Sequence, residues 1–198
     1  MMNDDLTIPG SRCIVGIDYS TTSPCVCLNF KDDYDFHFLT NRKKLEGSFD
    51  NDKFIITGTH LPEFATKIER YRFISSWVMD ILEKYTVYQI FLEDYAFAAT
   101  GRVFHIGENT GILKYRLNRC EYQYDVVAPT VIKKFAVGKG NASKTELIDN
   151  FNSTHNVKLQ DILGTEQDNP ISDIVDSYNI CRYGQQIVSD IFNCKGAM

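Results

Sequence analysis

The chain has 198 residues, 43% of them hydrophobic and 24% charged, which fits one soluble domain with a sizeable core. No run approaches the roughly 18 apolar residues a membrane helix needs, and the polar, mildly acidic start has no apolar signal-peptide core. The net charge of −5 argues against a nucleic-acid partner, but its distribution argues for one. Between Arg102 and Lys144 there are eight basic and three acidic residues, a local +5 that leaves −10 elsewhere. Phosphate binding follows the local patch rather than the total.

Met1 to Arg12 reads as a disordered lead-in, 13–192 as a single domain and 193–198 as a tail, in a cytoplasmic protein. Cys13 to Asp18 is an apolar run ending in an acid; Cys25–Phe30 and Tyr34–Leu39 are two further strands. Asn41–Asp52 reads as a turn or mobile loop, with another strand near Phe54–Thr57. Pro62 opens a helix to about Lys84, with Phe64, Ile68, Tyr71, Ile74, Val78, Ile81 and Leu82 on its apolar face. Trp77 and Tyr71 on that helix read as core or as a dimer face. Val87–Glu93 is a strand that again ends in acids. Ile106–Cys120 is helical, Tyr124–Ala128 a strand, and Pro129 begins a short helix. Ser143 and Glu146 predict a capping box, and the last helix spans about Ser172 to Ile191. Three successive strands followed by alternating helices and strands predict an α/β fold: a mixed sheet, antiparallel meander plus parallel strands, flanked by helices.

Six cysteines without C-x-x-C pairing or zinc-site histidines read as buried reduced thiols. The carboxylates carry more information. Asp18 and Glu93 end strands, where ligands of open α/β sheets gather. Asp173 and Asp176 are three apart on one helix and so share a face. Carboxylates converging in this way need cations between them, and hard oxygen donors select Mg²⁺, with Mn²⁺ as a substitute. Two such ions about 3.5–4 Å apart can activate water and stabilise the leaving oxygen of a phosphodiester.

Ile14-Val15-Gly16-Ile17-Asp18-Tyr19-Ser20-Thr21-Thr22-Ser23 resembles the opening strand of RuvC-like Holliday-junction resolvases, particularly their bacteriophage branch. Phe91-Leu92-Glu93-Asp94-Tyr95-Ala96-Phe97 resembles the second acidic strand, and Gly107-Glu108-Asn109-Thr110-Gly111 the helix that follows. Ala128 to Phe135 and Gly138 to Lys144 are similar to the family's basic segment, and Ser172-Asp173-Ile174-Val175-Asp176-Ser177-Tyr178 to its closing Asp-x-x-Asp helix. Where cellular members carry Pro-Gly after the first Asp, this chain has Tyr19-Ser20.

The resemblance implies a ribonuclease-H-like fold and a crossover junction endodeoxyribonuclease. It implies Asp18, Glu93, Asp173 and Asp176 as catalytic metal ligands, branched DNA as partner and a homodimer. The helix from Glu63 to Lys84 and the one beginning near Ile106 are the dimerisation candidates. Lys114, Arg116, Lys133, Lys134, Lys139 and Lys144 are the expected phosphate contacts, and Tyr95 or Phe97 the expected wedge at the junction centre. His105 at best contacts phosphate, and His155 reads as surface. Two rivals come from other classes. Gly16 to Thr22 also resembles the phosphate turn of actin-like ATPases and sugar kinases, which need a second domain; a non-catalytic DNA-binding module would have no use for four acids. The Gly138-Lys139-Gly140 stretch lacks P-loop spacing.

Overall fold

The computed structural model describes residues 12–31, 33–94 and 103–196. The expected lead-in up to Ser11, Arg102, Tyr95, Phe97 and the last two residues of the tail lie outside them. The strands are β1 (Arg12–Asp18), β2 (Cys25–Phe30), β3 (Asp33–Thr40), β4 (Gly47–Ser48), β5 (Phe54–His60), β6 (Thr86–Glu93) and β7 (Tyr124–Val127). They form one mixed sheet in the order β4-β5-β3-β2-β1-β6-β7. The meander β1-β2-β3 is antiparallel, whereas β6 is parallel to β1, β7 to β6 and β5 to β3. The carboxyl ends of β1, β3, β5, β6 and β7 therefore share one edge of the sheet.

Period-two alternation splits the core into two layers. Cys13, Val15 and Ile17 of β1 and Ile90 and Leu92 of β6 face the helices α1 (Lys67–Leu82) and α2 (Val103–Arg119). Ile14 and Phe91, with Phe36 and Phe38 of β3, face α4 (Lys144–His155), α5 (Leu159–Leu163) and α6 (Asp168–Gly196), and α3 (Pro129–Val137) packs against α6 on that side. Trp77 is buried in the core of the α1 layer, and Tyr71 is buried with it at the wall of a cleft. Among the described residues no helix is long and apolar enough to cross a membrane.

The first long helix starts later than its sequence suggests. Residues 62–65 are not helical; Thr66 is the N-cap and forms a capping box with Glu69. The reciprocal side-chain and backbone bonds of that box outweigh the Pro62 signal. Ile68, expected on the apolar face, is 59% exposed. Cys13, Cys25, Cys27 and Cys181 are buried free thiols, but Cys120 and Cys194 are exposed. His155, expected at the surface, is half-buried among Phe54, Phe151 and Tyr178, because β5 and α6 pack against the end of α4 that carries it.

Gly16 fixes α6 on the sheet. A Cβ there would lie 2.4 Å from the Ser177 carbonyl oxygen and 2.4 Å from the Cys181 amide, so only glycine lets the helix backbone lie on β1. One turn along, the Cys181 thiol donates to the Ile14 carbonyl at 3.3 Å. Two strand residues advance about 6.6 Å and four helical residues about 6 Å, so helix and strand keep step in opposite directions. Ile14 meets Cys181 and Gly16 meets Ser177; the next step sets Asp18 against Asp173.

Candidate active site

The same arithmetic collects the acids. Asp18 has the parity of Ile14 and Gly16, and Glu93 that of Phe91, so both lie on the α6 side of the sheet. Ile17 is paired with Leu92, so Asp18 and Glu93 are the next neighbours in register. Asp173 and Asp176 come from the first turns of α6 above them.

The environment is unfavourable for negative charge. Asp18 is held well above the usual carboxylate range, by burial first and then by Asp173, Asp176 and Glu93, with Lys144 opposing. Glu93 is pushed up to about 7 by burial and then Asp176, with Lys133 opposing. Asp173 rises to about 6 because burial outweighs a hydrogen bond from Ser23, and Asp176 rises to about 6 by burial against the pull of Lys144 and Lys133. Asp173 Oδ2 is buried with no hydrogen-bond partner. Such an oxygen keeps its full desolvation cost unless a cation or donor meets it.

Among the described residues no three acidic, histidine or cysteine side chains form a ready-made metal cage. Like charges repel, and carboxylates draw in to ligating distance only around a cation. The donor set fits a divalent ion on other grounds: four carboxylates with hard oxygen atoms, all charge-frustrated, one with an open buried oxygen.

A cleft of about 830 Å³ opens from Asp18 and Glu93 towards the first turns of α1 and α2. Its far wall carries Lys67, Arg70 and His105. His105 Nε2 lies 2.6 Å from Lys67 Nζ, and Arg70 donates to the Thr21 carbonyl at 3.3 Å. Sequence reasoning gave Lys67 and Arg70 no role, because a helix N-terminal turn on a distant segment leaves no signal of which cleft it borders.

The six expected phosphate-binding cations separate into groups. Lys133 and Lys144 face the carboxylates, and Lys144 Nζ donates to the Ser172 hydroxyl at 3.3 Å. Lys134 is exposed at the end of α3, and Lys139 pairs with Glu146 of the Ser143 capping box. Arg116 instead bridges the two helices of the other layer, donating to Ser75 at 3.1 Å and Ser76 at 2.7 Å. Lys114 is half-buried on α2. Gly138 of the basic segment has a structural duty as the left-handed C-cap of α3 (φ 83°).

A mixed sheet of this order with helices on both faces is the ribonuclease-H-like fold, and three solved structures share it. The chain matches Thermus thermophilus RuvC with a TM-score of 0.52 at 16% identity, over 85% of this chain and 90% of that one. It matches T. thermophilus RuvC in complex with a Holliday junction substrate with a TM-score of 0.55 at 13% identity, over 86% and 90%. It matches the yeast mitochondrial Holliday junction resolvase with a TM-score of 0.56 at 16% identity, over 97% and 87%. No family model and no curated protein matches the sequence. The fold is that of the RuvC-like resolvases.

Proposed function

We propose that this chain is a Mg²⁺-dependent endonuclease that cleaves Holliday junctions or other branched DNA. The observation that carries the reading is the meeting of Asp18, Glu93, Asp173 and Asp176 at one sheet edge, all held short of comfortable ionisation. Two divalent ions bound there would supply Lewis-acid activation of water and neutralise charge at the leaving oxygen. Lys133 and Lys144 offset the negative field and draw the phosphate backbone in. The cleft leading away from Asp18 and Glu93 gives the flanking strand a path past Lys67 and Arg70. A two-fold substrate suits a two-fold dimer. The outer faces of α1 and α2, with Ile68 59%, Phe104 77% and Tyr115 64% exposed, are apolar enough to form its interface. One of Tyr95 and Phe97 stacks on bases at the open junction centre.

The test is cleavage of four-way, three-way, flap and linear substrates side by side, with Tyr95→Ala and Phe97→Ala included. Selective loss of four-way cleavage in one variant, with linear binding retained, is the result expected of a junction resolvase. Equal rates on all branched substrates would reduce the assignment to a general branched-DNA nuclease, and no cleavage of any would overturn it.

A further inference from the structure

Arg42 stands at the same sheet edge as the acids. It follows β3, which runs parallel to β1 because both pairings of the β1-β2-β3 meander are antiparallel. One arm of its guanidinium, Nη2, donates to the Asn169 carbonyl at the start of α6. The other, Nη1, is buried and has no hydrogen-bond partner among the described residues. An orphaned donor on a permanent cation carries a full desolvation cost, and a fork with one arm free is the shape that grips a phosphate.

Beside it lies a cavity of about 120 Å³, lined by Thr22, Ser23, Thr40, Asn41, Asn169 and Pro170 together with Arg42. The lining is mostly hydroxyl and amide, Arg42 is its one charged member among the described residues, and the volume equals roughly four liquid-water volumes of about 30 Å³ each. That is room for a tetrahedral anion.

The cavity is wired to the acid cluster. Asn169 Nδ2 donates to the Ser23 hydroxyl at 2.9 Å, the Ser172 hydroxyl donates to Asn169 Oδ1 at 3.0 Å, and Lys144 donates to Ser172 at 3.3 Å. This chain runs across the first turn of α6 from Arg42 to Lys144, and Asp173 stands beside it. Ser23 also hydrogen-bonds Asp173, whose charge is eased by both Lys144 and Arg42. Lys133, Lys144 and Arg42 thus all act on the carboxylates.

We propose that the Arg42 cavity is a phosphate subsite for the DNA backbone, taking a phosphodiester next to the one held at the carboxylates. The inference rests on the DNA-cleaving reading above and extends it to a residue in a segment, Asn41–Asp52, that carries no recognisable motif.

The test uses the full chain in an Asp18→Asn background, with EDTA, so that binding is read without cleavage. Anisotropy of a labelled four-way junction is followed across a range of salt. Arg42→Gln is expected to weaken binding and to lower the slope of log affinity against log salt by about 0.9, the share of one phosphate. Asn41→Asp, which sets a carboxylate at the cavity mouth without touching the core, is expected to weaken binding at every salt concentration. Lys44→Ala, an exposed cation in the same segment but outside the cavity, should leave the slope unchanged. An unchanged slope in Arg42→Gln, or an equal fall in Lys44→Ala, overturns the subsite while leaving the nuclease assignment standing. Should Arg42→Gln fail to fold by circular dichroism, Asn41→Asp decides, and binding equal to the parent's overturns the proposal. A parent that retains no junction DNA overturns the nuclease reading itself, and the subsite with it.

Discussion

Asp173 and Tyr178 lie on the same helix, little more than one turn apart, and both bury a polar group, yet their surroundings are opposite. The Tyr178 hydroxyl shares a 2.7 Å hydrogen bond with His155 Nε2, and the rings of Phe151 and His155 meet it edge-on. Burial, then Lys53 and Arg182, lowers the His155 pKa to about 4, so the imidazole stays neutral at physiological pH and the cluster is satisfied. Around Asp173 burial and the like charge of Asp176 outweigh the pull of Ser23, Lys144 and Arg42, and one carboxylate oxygen has no partner. A buried polar group with a matched partner builds the fold. One without a partner costs stability until a donor or cation meets it.

The contrast predicts opposite outcomes for two near-isosteric changes. Asp18→Asn or Asp176→Asn should leave the fold intact, raise the melting temperature in EDTA and lower junction cleavage by about 10–100-fold or more, since even residues that only orient metal ligands cost that much. A gel assay on purified protein measures the rate; cleavage at the unmodified rate would remove either acid from the site. Tyr178→Phe, by contrast, should leave the cleavage rate per folded molecule unchanged and destabilise. Stranding His155 Nε2 costs about 1–3 kcal/mol, and each kcal/mol lowers the melting temperature by roughly 2–4 °C in a chain of this size. Calorimetry at pH 7 reads it, and an unshifted transition would make the pair incidental.

Much of this contrast was legible in the sequence. Strand-end acids on β1 and β6 and the Asp-x-x-Asp spacing on α6 named all four carboxylates, because period two and period 3.6 place side chains without tertiary information. The Ser143–Glu146 capping box was equally local. What failed to show was pairing across the fold. Charge count assigned Arg116 to phosphate, but the count does not reveal which helix face turns inward, and Ser75 and Ser76 hold it. His155 read as surface because its aromatic partners come from β5 and α6, far away in sequence. The parallel pairing of β5 with β3, and Arg42 with its half-satisfied guanidinium, had no sequence signature at all.

If Asp18, Glu93, Asp173 and Asp176 hold a divalent cation, they are frustrated until it joins them. In the unfolded chain they ionise at ordinary carboxylate values, whereas the folded protein keeps protons on Glu93 to about pH 7 and on Asp173 and Asp176 to about pH 6. Across that window the folded state binds more protons than the unfolded one, so this cluster's contribution to stability falls as pH rises. Within the window Mg²⁺ competes with those protons, and above it Mg²⁺ meets bare charge. Thermal denaturation with Mg²⁺ and with EDTA, at pH 5.5 and pH 8, compares the two directly, because His155 and every other titrating group stay common to each pair. Mg²⁺ is expected to raise the melting temperature by several degrees at pH 8, by much less at pH 5.5, and scarcely at all in Asp18→Asn. A Mg²⁺ shift that is absent at pH 8, or identical in Asp18→Asn, would contradict a cation site at these acids.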